Sequence, residues 1–560
     1  MSNIPTIFVG AQTAGLTFSA AKATTEITSI TASDSVGGNL TFNSMGSADL
    51  ALTSTQRTTG YDITTSNSGK LTIAVNKTST STSTNSSTST NDDDFLNSKT
   101  SEVTVNVQNG IKWSGDLTAD AATAVTINNA GLLDATVVKT GAAKSITINQ
   151  SASDSATNTI VLDVLSTSTS SALETLNLTV VKNLGITSTG AQSNTLSSNK
   201  DQLASVKNLT IATDVSFGGG NGTDYDFEAA NVITLSGSKD ASAILMDQVG
   251  RNVQAYGTTV TATGLKGGLT IDELYVGTDQ AISVNVTGVL STSASKGTVS
   301  LGANGFKVGD TATRSGSITV DANGMDANLS VGATEARDVT IQASGVLGTV
   351  TIGAITADNL TVDVSGTSTA VTENNATVRT SATYKGTPTA KNEVDFTLAS
   401  NSTAFTGNLS GSLLVDTYTF KSTNTGQTSI TLTGSLGSDA DVVTVDGTVS
   451  TNSTGLVINL GGLTTESTDV ITLRGALTVK NTITGTSGKD TIFGGSKADL
   501  IDLGSGTDTF ILNNLTDTGA VDVTKVAVGS KITAGGSVST TGFDVVTGFG
   551  ASDKIYTQGT

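Results

Sequence analysis

Between Ser317 and Val364 the chain repeats one short phrase, two apolar residues flanking a polar one and then a few of Gly, Asn, Asp, Ser or Thr. The pairs are Ile318/Val320, Leu329/Val331, Val339/Ile341, Val350/Ile352 and Leu360/Val362, and the step from each pair to the next is nearly constant. Strict apolar–polar alternation marks a strand with one buried face. The residues between the pairs are those that tolerate tight turns. An antiparallel sandwich is the alternative, but its hairpins vary in length and rarely hold so constant a step over five strands. The step predicts a right-handed β-solenoid, in which like positions stack and each coil buries its neighbour's apolar edge.

Looser versions of the phrase occur at Val125/Ile127, Ile146/Ile148, Leu176/Leu178/Val180, Leu209/Ile211, Ile233/Leu235, Leu269/Ile271, Ile282/Val284/Val286 and Val299/Leu301. Their wider spacing predicts insertions, or β-sandwich-like portions, in the N-terminal half. Helix signals are scarce: a turn or two is conceivable near Ser171–Leu176, although the residues LNLTVV that follow read as strand. The stretch Lys77–Asn91 is almost entirely Ser and Thr and leads into Asp92-Asp93-Asp94. With nothing apolar to pack, it is expected to be a mobile surface loop, either an inert insertion or an exposed tip open to O-glycosylation. The fold class is all-β: a β-solenoid or β-roll of short strands with Gly, Asn and Asp turns.

Composition narrows the chemistry. There is no histidine and no cysteine among the 560 residues. That removes an imidazole base, a thiol nucleophile, a disulfide framework and nitrogen or thiolate zinc ligands. Any metal is therefore held by oxygen, which favours hard cations such as Ca²⁺. The formal net charge of -19 argues against nucleic acid, which requires a basic face. No run of apolar residues is long enough for a transmembrane helix. The opening MSNIPTIFVG lacks a basic segment followed by an apolar core. The chain is thus intracellular, exported by a route that reads its other end, or a fragment of a longer protein.

Near the C-terminus a period of nine appears three times without a gap. Gly485-Thr486-Ser487-Gly488-Lys489-Asp490-Thr491-Ile492-Phe493 is followed by Gly494-Gly495-Ser496-Lys497-Ala498-Asp499-Leu500-Ile501-Asp502 and then by Leu503-Gly504-Ser505-Gly506-Thr507-Asp508-Thr509-Phe510-Ile511. Glycines let the backbone turn sharply and aim carbonyls inward, the aspartate adds charge, and the apolar residue two positions on begins a strand. This resembles the G-G-x-G-x-D-x-U-x nonapeptide of calcium-binding RTX proteins, a parallel β-roll. Thr486, Lys497 and Leu503 stand where the pattern has glycine, and a degenerate, metal-free coil is the alternative.

The resemblance implies that Asp490 and Asp508, two repeats apart, share one Ca²⁺, with carbonyls at Ser487–Gly488 and Ser505–Gly506 completing the shell. It pairs Asp499 with Asp517 in a worn frame. Two further places look like isolated units. One is Gly219–Asp224 with Asp224, Asp226 and Glu228; the other is Gly434–Asp441 with Asp439 and Asp441. Each could equally be a β-turn with solvated carboxylates. Residues 542–555 look like the D-x-[IV]-x-x-F…D-x-[IL] segment that closes RTX rolls, and the resemblance assigns another ion to Asp544 or Asp553.

The absence of histidine excludes an RTX zinc protease. The Thr/Ser/Gly/Ala/Val-rich, cysteine-free, acidic remainder is similar to the S-layer proteins that Gram-negative bacteria secrete by type I export. That resemblance implies a non-enzymatic, extracellular protein of the bacterial cell surface. It would bind several Ca²⁺ ions, assemble with copies of itself into a two-dimensional lattice, and attach to lipopolysaccharide through a region the sequence does not mark. The domains read as an N-terminal β region over 1–230 with a Ser/Thr-rich loop over 77–101, a β-solenoid over 231–480, a calcium-binding β-roll over 481–520 and a C-terminal cap over 521–560. A secreted RTX adhesin is the alternative function. A β-helical polysaccharide lyase is a further one, although Arg251, Arg314 and Arg337 form no evident cleft constellation in the sequence.

Overall fold

The computed structural model describes residues 6–10, 15–20, 27–32, 39–54, 62–76, 94–134, 136–151, 158–163, 165–167, 170–181, 184–188, 203, 205–218, 226–250, 254–289, 297–309, 314–367, 371–373, 376–386, 393–398, 404–410, 415–512 and 544–557. The elements in them are short β-strands, and the protein is all-β. The chain divides into two compact units. One comprises Met1–Arg251, Thr258–Asp272 and Gly288–Gly297; the other comprises Asn252–Gly257, Glu273–Thr287 and Thr298–Thr560.

In the first unit most strands alternate between two parallel sheets, and Lys112–Trp113 with Leu132–Leu133 adds a short parallel pair of its own. One sheet takes Thr6–Val9, Ser29–Ala32, Leu50–Ser54 and onward to Val232–Gly237. The other takes Leu16–Ser19, Leu40–Asn43, Asp62–Thr65 and onward to Leu184–Ser188. Each coil thus gives one strand to each face, and its apolar side chains meet those of the coils before and after. Ile30, Leu52, Ile73, Val105, Ile127, Ile148, Leu178, Ile211 and Leu235 pair rung to rung along one such column. All are 2 % exposed or less. Burying a side chain of this size contributes about 1.5–3 kcal/mol, and the parallel register multiplies that gain over every coil.

The wide spacing of the N-terminal half comes from insertions into this coil rather than from a sandwich. Leu71 pairs with Val103, and Val103 in turn with Val125, so the first of these two coils is the longer. The difference is taken up by the Ser/Thr-rich stretch, of which residues 77–93 lie outside the described residues. That stretch does not extend to residue 101. Asp94–Asn97 is a strand paired with Asp62–Thr65. Its Asn97 is buried, donating from Nδ2 to Asn67 Oδ1 at 2.7 Å and to Thr65 Oγ1 at 2.9 Å. Phe95, which follows the acidic triplet, supplies the apolar anchor and is 1 % exposed. Near Ser171–Leu176 the chain forms no helical turn: Thr175–Val180 is a strand. Leu165–Thr167 and Ser170–Ser171 form an antiparallel hairpin beside it.

In the second unit the constant step proves to be half a coil. Ile318 pairs with Val339 and Val339 with Leu360, while Leu329 pairs with Val350 on the other face. The pairs that follow one another in sequence therefore face each other across the core, and the pairs that stack are two apart. Towards the C-terminus the coil tightens. Ile483 pairs with Ile501 and Ile492 with Phe510. Two nonapeptides make one full turn.

Candidate metal centre

Within each nonapeptide the glycine-rich half turns the chain and the second half is strand. Lys489–Phe493, Leu500–Asp502 and Thr509–Leu512 alternate between the two faces. The aspartate and the apolar residue two positions later point the same way along a strand, so Asp490 is drawn inward with Ile492 and Asp508 with Phe510. Asp490, Asp499 and Asp508 are all 1 % exposed or less.

The carboxylates bond in two ways, and Asp499 uses both. One oxygen bonds within its own turn: the Thr486 N–H donates to Asp490 Oδ2 at 2.6 Å and the Gly495 N–H to Asp499 Oδ2 at 2.6 Å. The donor stands four residues before the acceptor in both. Oδ1 of Asp508, Asp553, Asp499 and Asp544 accepts from the preceding coil, whereas Asp490 Oδ1 accepts from the Thr486 hydroxyl of its own turn at 3.1 Å. The Asp490 N–H donates to Asp508 Oδ1 at 2.9 Å and the Asp508 N–H to Asp553 Oδ1 at 2.9 Å. On the opposite face the Asn481 N–H donates to Asp499 Oδ1 at 2.7 Å and the Asp499 N–H to Asp544 Oδ1 at 2.8 Å. Aspartates thus form a ladder on each face, one rung per coil.

The first glycine of the repeat makes room for this folding back. A Cβ on Gly485 would lie 2.6 Å from Asp490 Oδ2, and one on Gly494 would lie 2.7 Å from Asp499 Oδ2. The third repeat has Leu503 at that position, fully buried. There the equivalent donor, the Gly504 N–H, turns instead to Asp502 Oδ1 at 3.2 Å. Asp508 Oδ2 is left buried with no hydrogen-bond partner. One departure from the sequence pattern accounts for one unsatisfied oxygen.

Burial and like charge act on Asp490, Asp499 and Asp508. Asp490 is pushed up to about 7, first by burial and then by the charge of Asp508. Asp499 is raised to about 6, by burial and by Asp544, and Asp508 to about 6, by burial and by Asp553. On the far side of Asp490 stands Ile471 of the preceding coil, which withholds water from the carboxylate.

The turns stack as closely as the strands. Gly506 has φ of 138°, and a Cβ there would lie 1.9 Å from the Gly488 carbonyl oxygen. The Ser505 N–H donates to the Thr486 carbonyl at 3.1 Å. The Ser487 hydroxyl donates to the Thr465 carbonyl at 3.3 Å. The structure therefore brings together Asp490, Asp508, Ser487–Gly488 and Ser505–Gly506 on consecutive coils. The donor set suits a hard cation: carboxylates and carbonyls, with one buried carboxylate oxygen that no N–H or O–H satisfies. Among the described residues no three acidic side chains converge on one point, so a cation here would draw on carbonyls as well as carboxylates.

Asp517 lies outside the described residues. The rung after Asp499 is instead Asp544, and the rung after Asp508 is Asp553. Val545–Thr547 pairs with Leu500–Asp502, and Lys554–Thr557 with Thr509–Leu512. The segment read as a separate cap thus adds one more coil to the roll. The signal was present in the sequence: Asp544 and Asp553 are one nonapeptide apart, and Asp544 falls a whole number of nonapeptides after Asp508.

A second set of aspartates has no such signal. The Asp416 N–H donates to Asp441 Oδ1 at 2.7 Å and the Asp441 N–H to Asp469 Oδ1 at 3.0 Å, all three being fully buried. Their sequence separations are unequal and share no period with the nonapeptide. Asp441 is raised to about 6, chiefly by burial. Asp439 stays half-buried outside this ladder, its carbonyl accepting from the Asp441 N–H at 3.1 Å. Of the other candidate loop, Asp224 lies outside the described residues. Asp226 begins the strand Asp226–Phe227, which pairs with Gln248 and Val249, and Glu228 is buried.

No family model matches this chain, and comparison with curated proteins and with solved structures gives no match either.

Proposed function

We propose that the chain is a secreted structural protein of a bacterial surface layer, whose C-terminal coils take up Ca²⁺ and whose copies then assemble into a two-dimensional lattice. The observation that carries the calcium reading is the buried, unpartnered Asp508 Oδ2 beside Asp490, in a ladder of carboxylates raised well above their ordinary range. A divalent cation, when bound, supplies the positive charge this ladder lacks. Asp490, Asp508 and the carbonyls at Ser487–Gly488 and Ser505–Gly506 would hold it, with Asp553 on the next coil and Asp499 with Asp544 on the other face.

The chain's own residues do the rest. While the carboxylates repel one another the C-terminal coils are poorly stabilised, and a ligand that binds only the folded form adds RT ln(1 + [L]/Kd), about 2.7 kcal/mol at a hundred times Kd. Low calcium before export and millimolar calcium after it would convert that term into a switch. Self-association is supported by the distribution of exposed apolar side chains. Among the described residues Val415, Val449, Val457, Val470, Leu477, Leu500, Ile555 and Tyr556 belong to the C-terminal part of the second unit, with Leu347 earlier in that unit and Phe8 and Val232 in the first. Repeated contacts through exposed apolar side chains generate an array.

The deciding experiment is electron microscopy of the purified chain with EDTA and then with millimolar Ca²⁺. Ordered sheets that appear with Ca²⁺ and dissolve with EDTA support the reading. Persistent monomers in both conditions contradict the lattice, and the absence of calcium uptake by titration calorimetry contradicts the metal centre.

A further inference from the structure

Two arginines that are far apart in sequence converge on one carboxylate in the fold. Arg314 precedes the strand Ser317–Asp321, Asp358 lies in Ile355–Asp363, and Arg379 lies in Ala376–Lys385. At Asp358 the parallel register slips by one residue, between Ala357 and Asn359. That bulge turns Asp358 and Arg379 to the same corner of consecutive coils.

The charges there do not close on one another. Arg314 Nη1 stands 3.7 Å from Asp358 Oδ1, and Arg379 Nη1 stands 3.4 Å from the same oxygen. An arginine–carboxylate pair ordinarily closes to about 2.7–2.9 Å, often through two parallel bonds. Here Asp358 Oδ1 is buried with no hydrogen bond, and so is Arg379 Nε–H. Arg314 Nη1 reaches only the Ala357 carbonyl, at 3.4 Å. The flanking charges are committed elsewhere: Lys307 with Glu335 at 3.6 Å, and Arg337 with Asp338 at 3.0 Å. Two guanidinium groups therefore share one carboxylate, leaving one positive charge in excess in a protein of net charge -19. Burial and the neighbouring Arg379 both push the Arg314 guanidinium below its ordinary value.

A buried donor with no acceptor is costly, and in a native protein it calls for a partner, either a water or an ion. We propose that Arg314 and Arg379 bind a small oxyanion, either free sulfate or phosphate or an acidic group carried by a sugar. The planar guanidinium fork suits two oxygens of such a group, and Arg379 Nε–H is the donor it would satisfy. The side chains are 13 % and 24 % exposed, so the site is partly dehydrated yet reachable from solvent.

The test is titration calorimetry of the full folded chain with sodium sulfate, against sodium chloride at the same ionic strength. The wild type is expected to give saturable heat with sulfate alone. Arg379→Lys keeps the charge but loses Nε–H, and should weaken sulfate about tenfold or more, the scale of a charge-assisted hydrogen bond. The double variant Arg314→Gln/Arg379→Gln should abolish binding. A glucuronate-containing oligosaccharide forms the second arm: tighter binding than sulfate at the same arginines assigns the ligand to a glycan, and equal or weaker binding assigns it to the free ion. Absence of saturable heat in the folded wild type, or equal affinity in wild type and Arg379→Lys, overturns the proposal. Both results would leave only a water at Arg379 Nε.

Discussion

The backbone N–H of Asp490 donates to Asp508 Oδ1 at 2.9 Å, joining two aspartates that stand two nonapeptides apart. One full coil separates them, so the carboxylate of the later turn completes the backbone of the turn before it. Because Leu503 occupies the place of a glycine, Asp508 cannot use its second oxygen as Asp490 and Asp499 do. The repeat that lacks its first glycine is thus the one whose aspartate keeps a buried oxygen without a donor.

Asp508→Asn is the sharpest probe of that oxygen. The amide removes one of two adjacent buried charges, so in EDTA the C-terminal coils are expected to melt at the same temperature as the wild type or higher. With Ca²⁺ the order reverses: the variant loses most of its calcium-induced rise in Tm, and calcium affinity falls about tenfold or more, the size expected for a lost ionic ligand. Calorimetric melts with and without Ca²⁺ check both halves. A variant stabilised by calcium as strongly as wild type contradicts the assignment.

The raised carboxylates set the pH dependence of the metal-free protein. Asp490 at about 7, and Asp499 and Asp508 at about 6, hold protons in the fold that the unfolded chain, with carboxylates near 4, has already released. Between about pH 4 and 7 the native state binds more protons, so stability falls as pH rises through that window. In EDTA, Tm should therefore be lower at pH 8 than at pH 5. In Ca²⁺ the ion and the proton compete for the same oxygens, and the calcium-induced gain should grow with pH. A flat EDTA profile would contradict the raised protonation of these buried carboxylates.

Gly506→Ala tests the stacking of the turns. The substitution meets an unfavourable φ of 138° and places Cβ 1.9 Å from the Gly488 oxygen, so one of the turns must shift. A loss of about 2–4 kcal/mol is expected, the conformational cost plus displacement of a packed turn. Gly426→Ala, where the nearest atom is Asn424 Oδ1 at 3.3 Å, is the control and should change stability by less than about 1 kcal/mol. Chemical denaturation of both variants in Ca²⁺ checks the contrast.

Asp553→Asn asks whether the roll resumes after Leu512. Asp553 Oδ1 accepts the Asp508 N–H, and Oδ2 accepts the Gly550 N–H at 2.5 Å. The asparagine can keep one of these acceptors, so the variant is expected to lose about 1–2 kcal/mol in calcium and to fray the preceding coil. Hydrogen exchange at Thr509–Leu512, which pairs with Lys554–Thr557, should then accelerate. Unchanged protection there would mean that the last strands do not support the repeats.

Ile318→Ala and Thr340→Ala separate the two faces of one strand position. Ile318 is fully buried between coils, and its removal should cost about 2–4 kcal/mol. Thr340 points outward from the neighbouring strand Asp338–Gln342 and should cost about 0.5 kcal/mol or less. Urea titration of each variant reads the difference.

The alternation of Ile318/Val320 with its successors was enough to establish short strands, one buried side and a coiled, all-β architecture, because side-chain period and turn chemistry are local properties of the backbone. The nonapeptide likewise singled out Asp490, Asp499 and Asp508 as charge-bearing positions in register, and the fold showed that they are buried. What sequence spacing alone did not reveal was which half-coils stack. Leu329 follows Ile318 yet faces it across the core, and Val339 is the residue that lies upon it. Nor did it reveal that Asp499 meets Asp544, that Asp416, Asp441 and Asp469 form a ladder, or that Arg314 and Arg379 converge on Asp358. Those partnerships join residues separated by insertions of unequal length, and contact between them follows from the register in which one coil's apolar side chains settle on the next. Local chemistry determined what each coil is; packing between coils decided which groups it brings together.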